Sequence, residues 1–259
     1  MLTTACLSLS GGQGKTTTTI LLSKRLAAAG QAVLVIDADP QGNLTTFLGH
    51  DVAPKAPTLL EVLRGTVTLE EAIYPTAHEN LFLVPADDGL EAAQVYLASS
   101  GVGAMLLRKR LEPAQGSCDH CLLDSPPQRS QICVSIIGAS DRILIPCETT
   151  AKGYGSLVRT LAAIAELREI GASQAELLAV LPFRDRWVGA NQSQESRQCI
   201  EAMRQEVGAE FVLPSIRESE RYKQALSQGK TLTEIGFPDL EYPFEVLEQR
   251  LTGGSGTRE

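Results

Sequence analysis

Short apolar runs alternate with longer stretches of helical periodicity along most of this chain. The apolar runs are bounded by glycine, proline or polar residues, as expected for buried strands. Between them, apolar residues recur every three or four positions, as expected for helices that pack on one face. This alternation predicts an α/β fold, a doubly wound and mostly parallel sheet flanked by helices. The predicted strands are residues 5–9, 32–36, 80–84, 121–124, 142–147, 177–182 and 211–214, and the predicted helices include 16–29, 90–98, 154–169 and 192–207.

Ligands of such sheets collect at the carboxyl ends of the strands. The first predicted strand runs into Ser-Leu-Ser-Gly-Gly-Gln-Gly-Lys-Thr-Thr, residues 8–17, and the first helix follows at once. Glycines let the backbone approach an anion closely, and the helix N-terminus directs N–H groups toward it. Lys15 neutralises phosphate charge, and the hydroxyl of Thr16 can ligate Mg²⁺. The loop therefore predicts a nucleoside triphosphate site, with contacts from Gly11, Gly12, Gln13, Gly14, Lys15, Thr16 and Thr17.

A pair of carboxylates follows the second predicted strand, in Asp-Ala-Asp-Pro-Gln-Gly-Asn at residues 37–43. The i, i+2 spacing puts Asp37 and Asp39 on one side of the chain, and Pro40 ends the strand near the phosphate loop. A carboxylate there can orient an attacking water or hold Mg²⁺ through water, and Asp39 is our candidate. The same residues also suit a turn, so a solvated turn is the alternative interpretation.

The fourth predicted strand ends on Asp124, which is followed by Ser125 and two prolines. In phosphate-loop enzymes a second carboxylate holds the Mg²⁺ shell, and Asp124 fits that position. The alternative is an aspartate that caps a helix or forms a turn. The predicted Mg²⁺ ligands are thus Thr16, Asp39 and Asp124, partly through water.

Length, composition and net charge restrict the classes of protein to which this chain can belong. The 259 residues have room for one domain, which we assign to residues 1–252, followed by a flexible tail at 253–259. We find no apolar run of about 18 residues and no charged-then-apolar leader, so we expect a soluble, cytoplasmic protein. The net charge of −8 argues against attraction of the whole surface to nucleic acid or anionic membrane. Residues 240–251 are acidic and are interrupted by Pro243, which disfavours a membrane-binding helix.

Six cysteines raise the alternative of a metal protein. Cys118 and Cys121 have the spacing of half a zinc site, but the sequence offers no second pair of ligands at similar spacing. Cys133 could ligate a metal cluster, as in a reductase built on the same scaffold, yet it also has no partner at the required spacing. We expect small buried side chains at most of these positions.

Three motifs, GGxGKTT, DxDPQGN and an apolar run ending in DxPP, resemble those of the ParA/MinD family of deviant P-loop ATPases. The loop departs from the usual G-x-x-x-x-G-K-[ST] spacing because Leu9 stands at the first glycine position. The resemblance spans almost the whole chain. It implies an ATP-sandwich dimer, in which nucleotide lies between two subunits, Lys15 contacts phosphate and Asp39 serves the hydrolytic water. It also implies that the loop at 214–217 lies by adenine, with Phe183, Arg184, Pro214 and Ile216 as contacts.

One departure from the family concerns charge. The family carries a lysine that reaches across the dimer to the partner's phosphates, and Ser10 stands at that position. Phosphate oxygens brought together without a counter-charge repel each other strongly, so another cation should cross the interface. Lys152 is our candidate, because it follows the strand at 142–147 on the ligand side and Gly153 beside it permits reach. The alternative is an ordinary surface lysine.

Ser10, the string SGGQGKTT and Lys152 are similar to the McdA branch of this family, whose members space carboxysomes over the nucleoid. The resemblance implies an ATP-bound homodimer on non-specific nucleoid DNA, released when a McdB-like adaptor on the cargo stimulates hydrolysis. Plasmid or chromosome partition with a ParB-like, DNA-bound adaptor is the alternative. A membrane-bound oscillator and a metabolic enzyme on the same scaffold, such as a nucleotide-dependent ligase, are further alternatives that the motifs favour less.

Charge distribution bears on DNA binding. Residues 182–230 carry eight basic and seven acidic side chains, a net charge of +1, so that the rest of the chain carries −9. Such enrichment would suit a phosphate-binding patch built by a dimer, although mixed charges of this kind also mark solvated helices. We see no recognition helix in the sequence, so we expect contacts to the DNA backbone only.

Overall fold

Parallel strands form the centre of the molecule. The computed structural model describes residues 1–253, so the predicted tail lies outside the described residues except for Gly253. One sheet has the order β3-β4-β2-β5-β1-β6-β7, and only β3 runs antiparallel to its neighbour. The predicted α/β class is confirmed. The strands are β1 (Leu2–Cys6), β2 (Val33–Asp37), β3 (Tyr74–Pro75), β4 (Leu81–Val84), β5 (His120–Asp124), β6 (Arg142–Glu148) and β7 (Glu176–Phe183), with a separate hairpin of β8 (Trp187–Val188) and β9 (Asn191–Gln192).

Several strand predictions differ from the structure. The first strand was predicted at 5–9, but β1 ends at Cys6, and the short strands β3, β8 and β9 were not predicted. The segment 211–214 is not a strand, because a 3₁₀ turn spans Ala209–Phe211 and only an isolated bridge joins Val212 to Val180 of β7. Leu213 N donates to the carbonyl oxygen of Val180, and the next bond to β7 comes from Ile216 N to the carbonyl oxygen of Pro182, so the two-residue alternation of a ladder is not kept. The edge strand β3 was not predicted, since its two residues are too few to show an alternating pattern.

Helices cover both faces of the sheet. The apolar cluster on one face packs mainly α3 to α7, and the cluster on the other packs α1, α9 and α10. All five residues of β2 are buried, as expected for a central strand covered on both sides. The helices are α1 (Lys15–Ala28), α2 (Asn43–Phe47), α3 (Leu59–Arg64), α4 (Ala93–Ser99), α5 (Gly103–Leu111), α6 (Gln131–Ala139), α7 (Ala151–Glu169), α8 (Gln194–Val207), α9 (Arg221–Ser227) and α10 (Tyr242–Thr252).

The C-terminal segment corrects another expectation. Pro243 does not interrupt a helix there, because it lies in the first turn of α10, where no intrahelical N–H bond is lost. Phe244, Leu247 and Leu251 of α10 are buried against the apolar cluster that contains α1. Within residues 1–253, no single helix has the length and apolar composition to cross a membrane, and the bent pair Asp88–Ser99 and Gly103–Ala114 meets that test only in combination.

The sheet order brings the three motifs together. β1 lies between β5 and β6, and β5 lies between β1 and β2. The register pairs Asp124 at the end of β5 with Cys6 of β1 and with Asp37 of β2. The loops that follow these strands therefore meet at one edge of the sheet, where the predicted nucleotide site is expected.

Candidate functional site

The phosphate loop closes the carboxyl end of β1 and leads into α1. Gly12 and Gly14 adopt positive φ angles of 81° and 91°, which residues other than glycine rarely adopt. A Cβ at Gly14 would also lie 2.6 Å from the ring of Phe183. Gly14 is thus required both by its backbone angle and by its packing, and α1 begins immediately after it at Lys15.

Lys15 places a buried cation at the loop. Its Nζ donates a hydrogen bond to the carbonyl oxygen of Ser10 at 3.0 Å, and the residue is only 7% exposed. Burial lowers the pKa of Lys15, and the neighbouring Asp124 opposes that shift. Because burial removes hydration from the ammonium, an anion bound in the loop would be attracted to it more strongly than to a surface lysine.

Thr16 and Asp124 form the part of the site that could hold a metal ion. The Thr16 Oγ1 donates to Asp124 Oδ2 at 2.6 Å, and Thr19 Oγ1 donates to Asp124 Oδ1 at 3.3 Å. Burial, followed by the charge of Asp37, raises the pKa of Asp124 to about 7. A cation beside this carboxylate would offset the cost of its buried charge, and hydroxyl and carboxylate oxygens are the ligands that Mg²⁺ prefers. The residues therefore fit Mg²⁺.

The two carboxylates after β2 have different environments. Asp37 is fully buried, and its Oδ2 accepts hydrogen bonds from the backbone N and the Oγ1 of Thr45, both at 2.8 Å. Burial raises the pKa of Asp37 to about 6. Asp39 is half-buried and lines the cleft over the phosphate loop, with its Oδ1 accepting from the backbone N of Gln41 at 3.0 Å. Only Asp39 therefore faces the cleft, whereas Asp37 binds the start of α2.

The cleft has a volume of about 400 Å³. It contains most of the predicted site residues, including the whole loop from Gly11 to Thr17, Asp39, Phe183 and Arg184. Pro214 and Ile216 lie elsewhere, because Pro214 lines a neighbouring cavity and Ile216 is buried in the core. Of the predicted loop 214–217, Arg217 lines the cleft. The lining also includes residues that were not predicted for the site, among them Glu218, Ser219, Glu220, Tyr222 and Lys223.

Lys152 has a different setting from the one predicted. It is exposed, and it lies in the first turn of α7, where the Thr150 side chain caps the helix by accepting from the N of Gly153 at 3.2 Å. Gly153 does not supply flexibility, because it is buried and a Cβ on it would overlap the carbonyl oxygen of Glu148. A rigid helix start, and not a mobile loop, therefore carries Lys152.

Comparisons with known proteins agree with this geometry. A family profile described as an AAA domain matches residues 2–174. The chain is 52% identical to the maintenance of carboxysome distribution protein A of Gloeothece citriformis, over 97% of both chains. It also superimposes on a solved Cyanothece McdA structure, an aspartate-to-alanine variant in complex with ATP, with a TM-score of 0.95 and 50% identity over 100% of this chain and 98% of that one. The chain belongs to the McdA branch of the ParA/MinD ATPase family.

More distant relatives cover less of the chain or share only its fold. The chromosome partitioning protein ParA of Caulobacter vibrioides is 38% identical over 58% of each chain. The septum site-determining protein MinD of Pyrococcus horikoshii superimposes with a TM-score of 0.76 at 22% identity, covering 98% of this chain and 97% of that one. As a McdA-type protein, the chain is an ATPase. The residue assignments within its cleft stay predictions.

Proposed function

We propose that this ATPase maintains the distribution of carboxysomes, as a cytoplasmic protein that associates with the nucleoid. The observation that carries the proposal is the likeness to two proteins named for carboxysome distribution, at 52% and 48% identity over 97% of the chain. The ParA relatives match little more than half of it. Function in chromosome or plasmid partition with a ParB-like adaptor is therefore the second candidate.

In the proposed cycle, ATP is hydrolysed between two copies of the chain. Water oriented by Asp39 attacks the γ-phosphorus, the bond from that atom to the β–γ bridging oxygen breaks, and ADP and phosphate result. Lys15 stabilises the charge that develops on the phosphate oxygens of its own subunit. Mg²⁺, which Thr16 and Asp124 would hold together with water and Asp39, would neutralise further phosphate charge.

The dimer is proposed to depend on Lys152. An ammonium on the exposed first turn of α7 can reach outward, which a crossing lysine requires, and Ser10 at the usual lysine position leaves that charge to be supplied from elsewhere. The Lys152→Ala variant should lose ATP-dependent dimerisation and keep monomeric nucleotide binding through Lys15. Ser10→Lys in the Lys152→Ala background should restore the dimer. Size-exclusion chromatography with a slowly hydrolysed ATP analogue is the measurement, and a Lys152→Ala protein that dimerises like the parent would contradict the proposal.

DNA binding is proposed to follow from dimerisation. Arg186, Arg197 and Arg217 are exposed side chains of the enriched segment 182–230, and two copies would double their local density. Binding should therefore occur with ATP and not with ADP, should be independent of sequence, and should weaken by orders of magnitude between low and moderately high salt. Equal binding with ADP in a gel-shift assay would argue against this step.

Carboxysome spacing in cells distinguishes the two candidate functions. The chain would be expressed in a carboxysome-forming bacterium whose own distribution ATPase has been deleted, and carboxysome positions would be recorded by fluorescence microscopy. Restored even spacing is the expected result, and the matched Asp39→Ala strain should fail to restore it. Clustered carboxysomes, together with rescue of plasmid loss in a strain lacking a partition ATPase, would favour the partition function instead.

A further inference from the structure

Gln13, in the middle of the phosphate loop, joins the loop to the end of β6. Its side chain is fully buried. The Oε1 atom accepts a hydrogen bond from the backbone N of Glu148 at 2.8 Å, and the Nε2 atom donates to the carbonyl oxygen of Gly11 at 3.4 Å. A loop residue that needed only to expose its backbone to phosphate would not require this side chain, so the amide has a role of its own.

Glu148 in turn contacts the start of α7. Its carbonyl oxygen lies so close to Gly153 that no Cβ fits between them. Its carboxylate accepts a hydrogen bond from Arg184 at 3.2 Å, and Arg184 lines the nucleotide cleft. The Glu148 peptide is therefore held by the phosphate loop on one side and by the first turn of α7 on the other.

The two contacts make a continuous path from the phosphate loop to the helix. It runs from the Gln13 amide through the Glu148 peptide to Gly153, and Lys152 immediately precedes Gly153 in the same turn. Losing the acceptor of a part-buried N–H group costs free energy, so a movement of the Gln13 side chain is expected to draw the Glu148 backbone with it. Since Gly153 packs without free space on that peptide, the movement reaches the turn that carries Lys152.

We propose that Gln13 is a positioning residue that couples occupancy of the phosphate loop to the first turn of α7 and so presents Lys152 to the partner's phosphates. The last step rests on the role of Lys152 in the proposed function. The first step concerns one subunit alone. The two steps can therefore be tested separately.

Amide hydrogen exchange of the ADP-bound monomer tests the first step. In the parent, ADP should slow exchange in peptides covering residues 149–156 by at least about threefold, because a bound nucleotide fixes the loop and the coupled turn. In Gln13→Met, which keeps the side-chain length and loses the amide, ADP should leave exchange there unchanged. Equal slowing in the parent and in Gln13→Met would overturn the proposal, as would loss of ADP binding by the variant, measured with a fluorescent ADP analogue.

Two further variants guard against general destabilisation. Gln13→Asn keeps a polar amide but shortens it by one methylene, and it should give the same result if Gln13→Met does not fold. Gln192→Met is the matched control, because it removes amide hydrogen bonds of 2.9 and 3.0 Å to Asp185, outside the path. ADP should slow exchange at 149–156 in Gln192→Met as it does in the parent, and loss of that response would mean that the path is not specific to Gln13.

ATP-dependent dimerisation tests the second step. Gln13→Met should weaken the dimer by at least about tenfold when ATP saturates both the variant and the parent, so that a change in nucleotide affinity does not enter the comparison. In the Ser10→Lys/Lys152→Ala background, whose dimer would not use Lys152, Gln13→Met should no longer weaken the dimer. An equal loss in that background would overturn the coupling to Lys152. If Lys152→Ala dimerises like the parent, both the proposed role of Lys152 and this second step are contradicted. The exchange result in the monomer would still decide the first step.

Discussion

The two ends of the nucleotide cleft are built differently. The phosphate end consists of consecutive residues, 11–17, whose conformation is fixed by two positive-φ glycines and by the start of α1. The distal end is formed by separate loops and by the start of α9. We define it as Arg184, Arg217, Glu218, Tyr222 and Lys223. All of these residues except Tyr222 are exposed. The phosphate loop is therefore shaped by backbone geometry, whereas mostly exposed side chains line the distal end of the cleft.

The largest expected difference between the two ends is in nucleotide affinity. Lys15→Ala should weaken ATP binding at least about 100-fold, equivalent to about 2.7 kcal/mol, because it removes a buried, charge-assisted contact to phosphate. Lys223→Ala, the same change at an exposed lysine of the distal end, should alter affinity by less than about threefold. Isothermal titration calorimetry would measure both, and comparable losses would end the distinction between the two ends.

A second prediction concerns the backbone of the phosphate end. Gly14→Ala should destabilise the protein by about 2 kcal/mol more than Gly12→Ala, because both residues have positive φ angles but only Gly14 lies against the Phe183 ring. Around Gly12 an added Cβ would meet no atom within 4 Å, so the matched change isolates the packing contribution. Urea unfolding of the two variants would give the difference. Equal stabilities would show that Phe183 moves aside without cost.

A third prediction separates hydrolysis from binding. Asp39→Ala should bind ATP normally, hydrolyse it at least about tenfold more slowly and accumulate as a dimer, since about 1.4 kcal/mol or more of transition-state stabilisation is lost with the carboxylate. Glu218→Ala removes a carboxylate at the distal end and should leave the turnover rate near that of the parent. Phosphate release under saturating ATP is the measurement, and near-normal turnover by Asp39→Ala would exclude its role.

The smallest loss of affinity expected to be measurable is at Arg217. Its guanidinium lies 4.3 Å from the centre of the Trp187 ring, so this cation already makes a cation–π contact within the protein. A contact to nucleotide would compete with that one. Arg217→Ala should weaken ATP binding by about threefold, close to the value of an exposed contact. A loss as large as that of Lys15→Ala would mean that the distal end holds nucleotide as firmly as the phosphate end does.

The phosphate end could be predicted from sequence because its geometry is local. Glycine spacing, the helix start at Lys15 and the acids at two strand ends all follow from neighbouring residues, and the parallel sheet brings them together. The distal end depends on long-range contacts. The backbone N of Asp185 donates to the carbonyl oxygen of Ile216, and Glu218 N donates to Asp185 O, so the loop that includes Ile216 is turned inward and the cleft is lined by the residues that follow it.

The start of α7 could not be predicted well because the role of Gly153 cannot be read from the sequence. In a sequence, a glycine that supplies flexibility and one that leaves room for a neighbour look the same. Gly153 belongs to the second kind, because the carbonyl of Glu148 occupies the space of its side chain. The neighbouring Lys152 lies in the first turn of a helix that begins at Ala151, which its position after a strand end did not reveal.

The ion cluster between α1 and α10 has a consequence for how the chain folds during synthesis. Arg25 of α1 pairs with Glu241, Glu245 and Glu248, and the last of these is 223 positions further along the chain. A nascent chain leaves the ribosome N-terminus first, so the part of the phosphate-loop helix that packs on α10 stays uncovered until α10 has emerged. The helix that follows the phosphate loop is thus fully packed only after residues 242–252 have been synthesised.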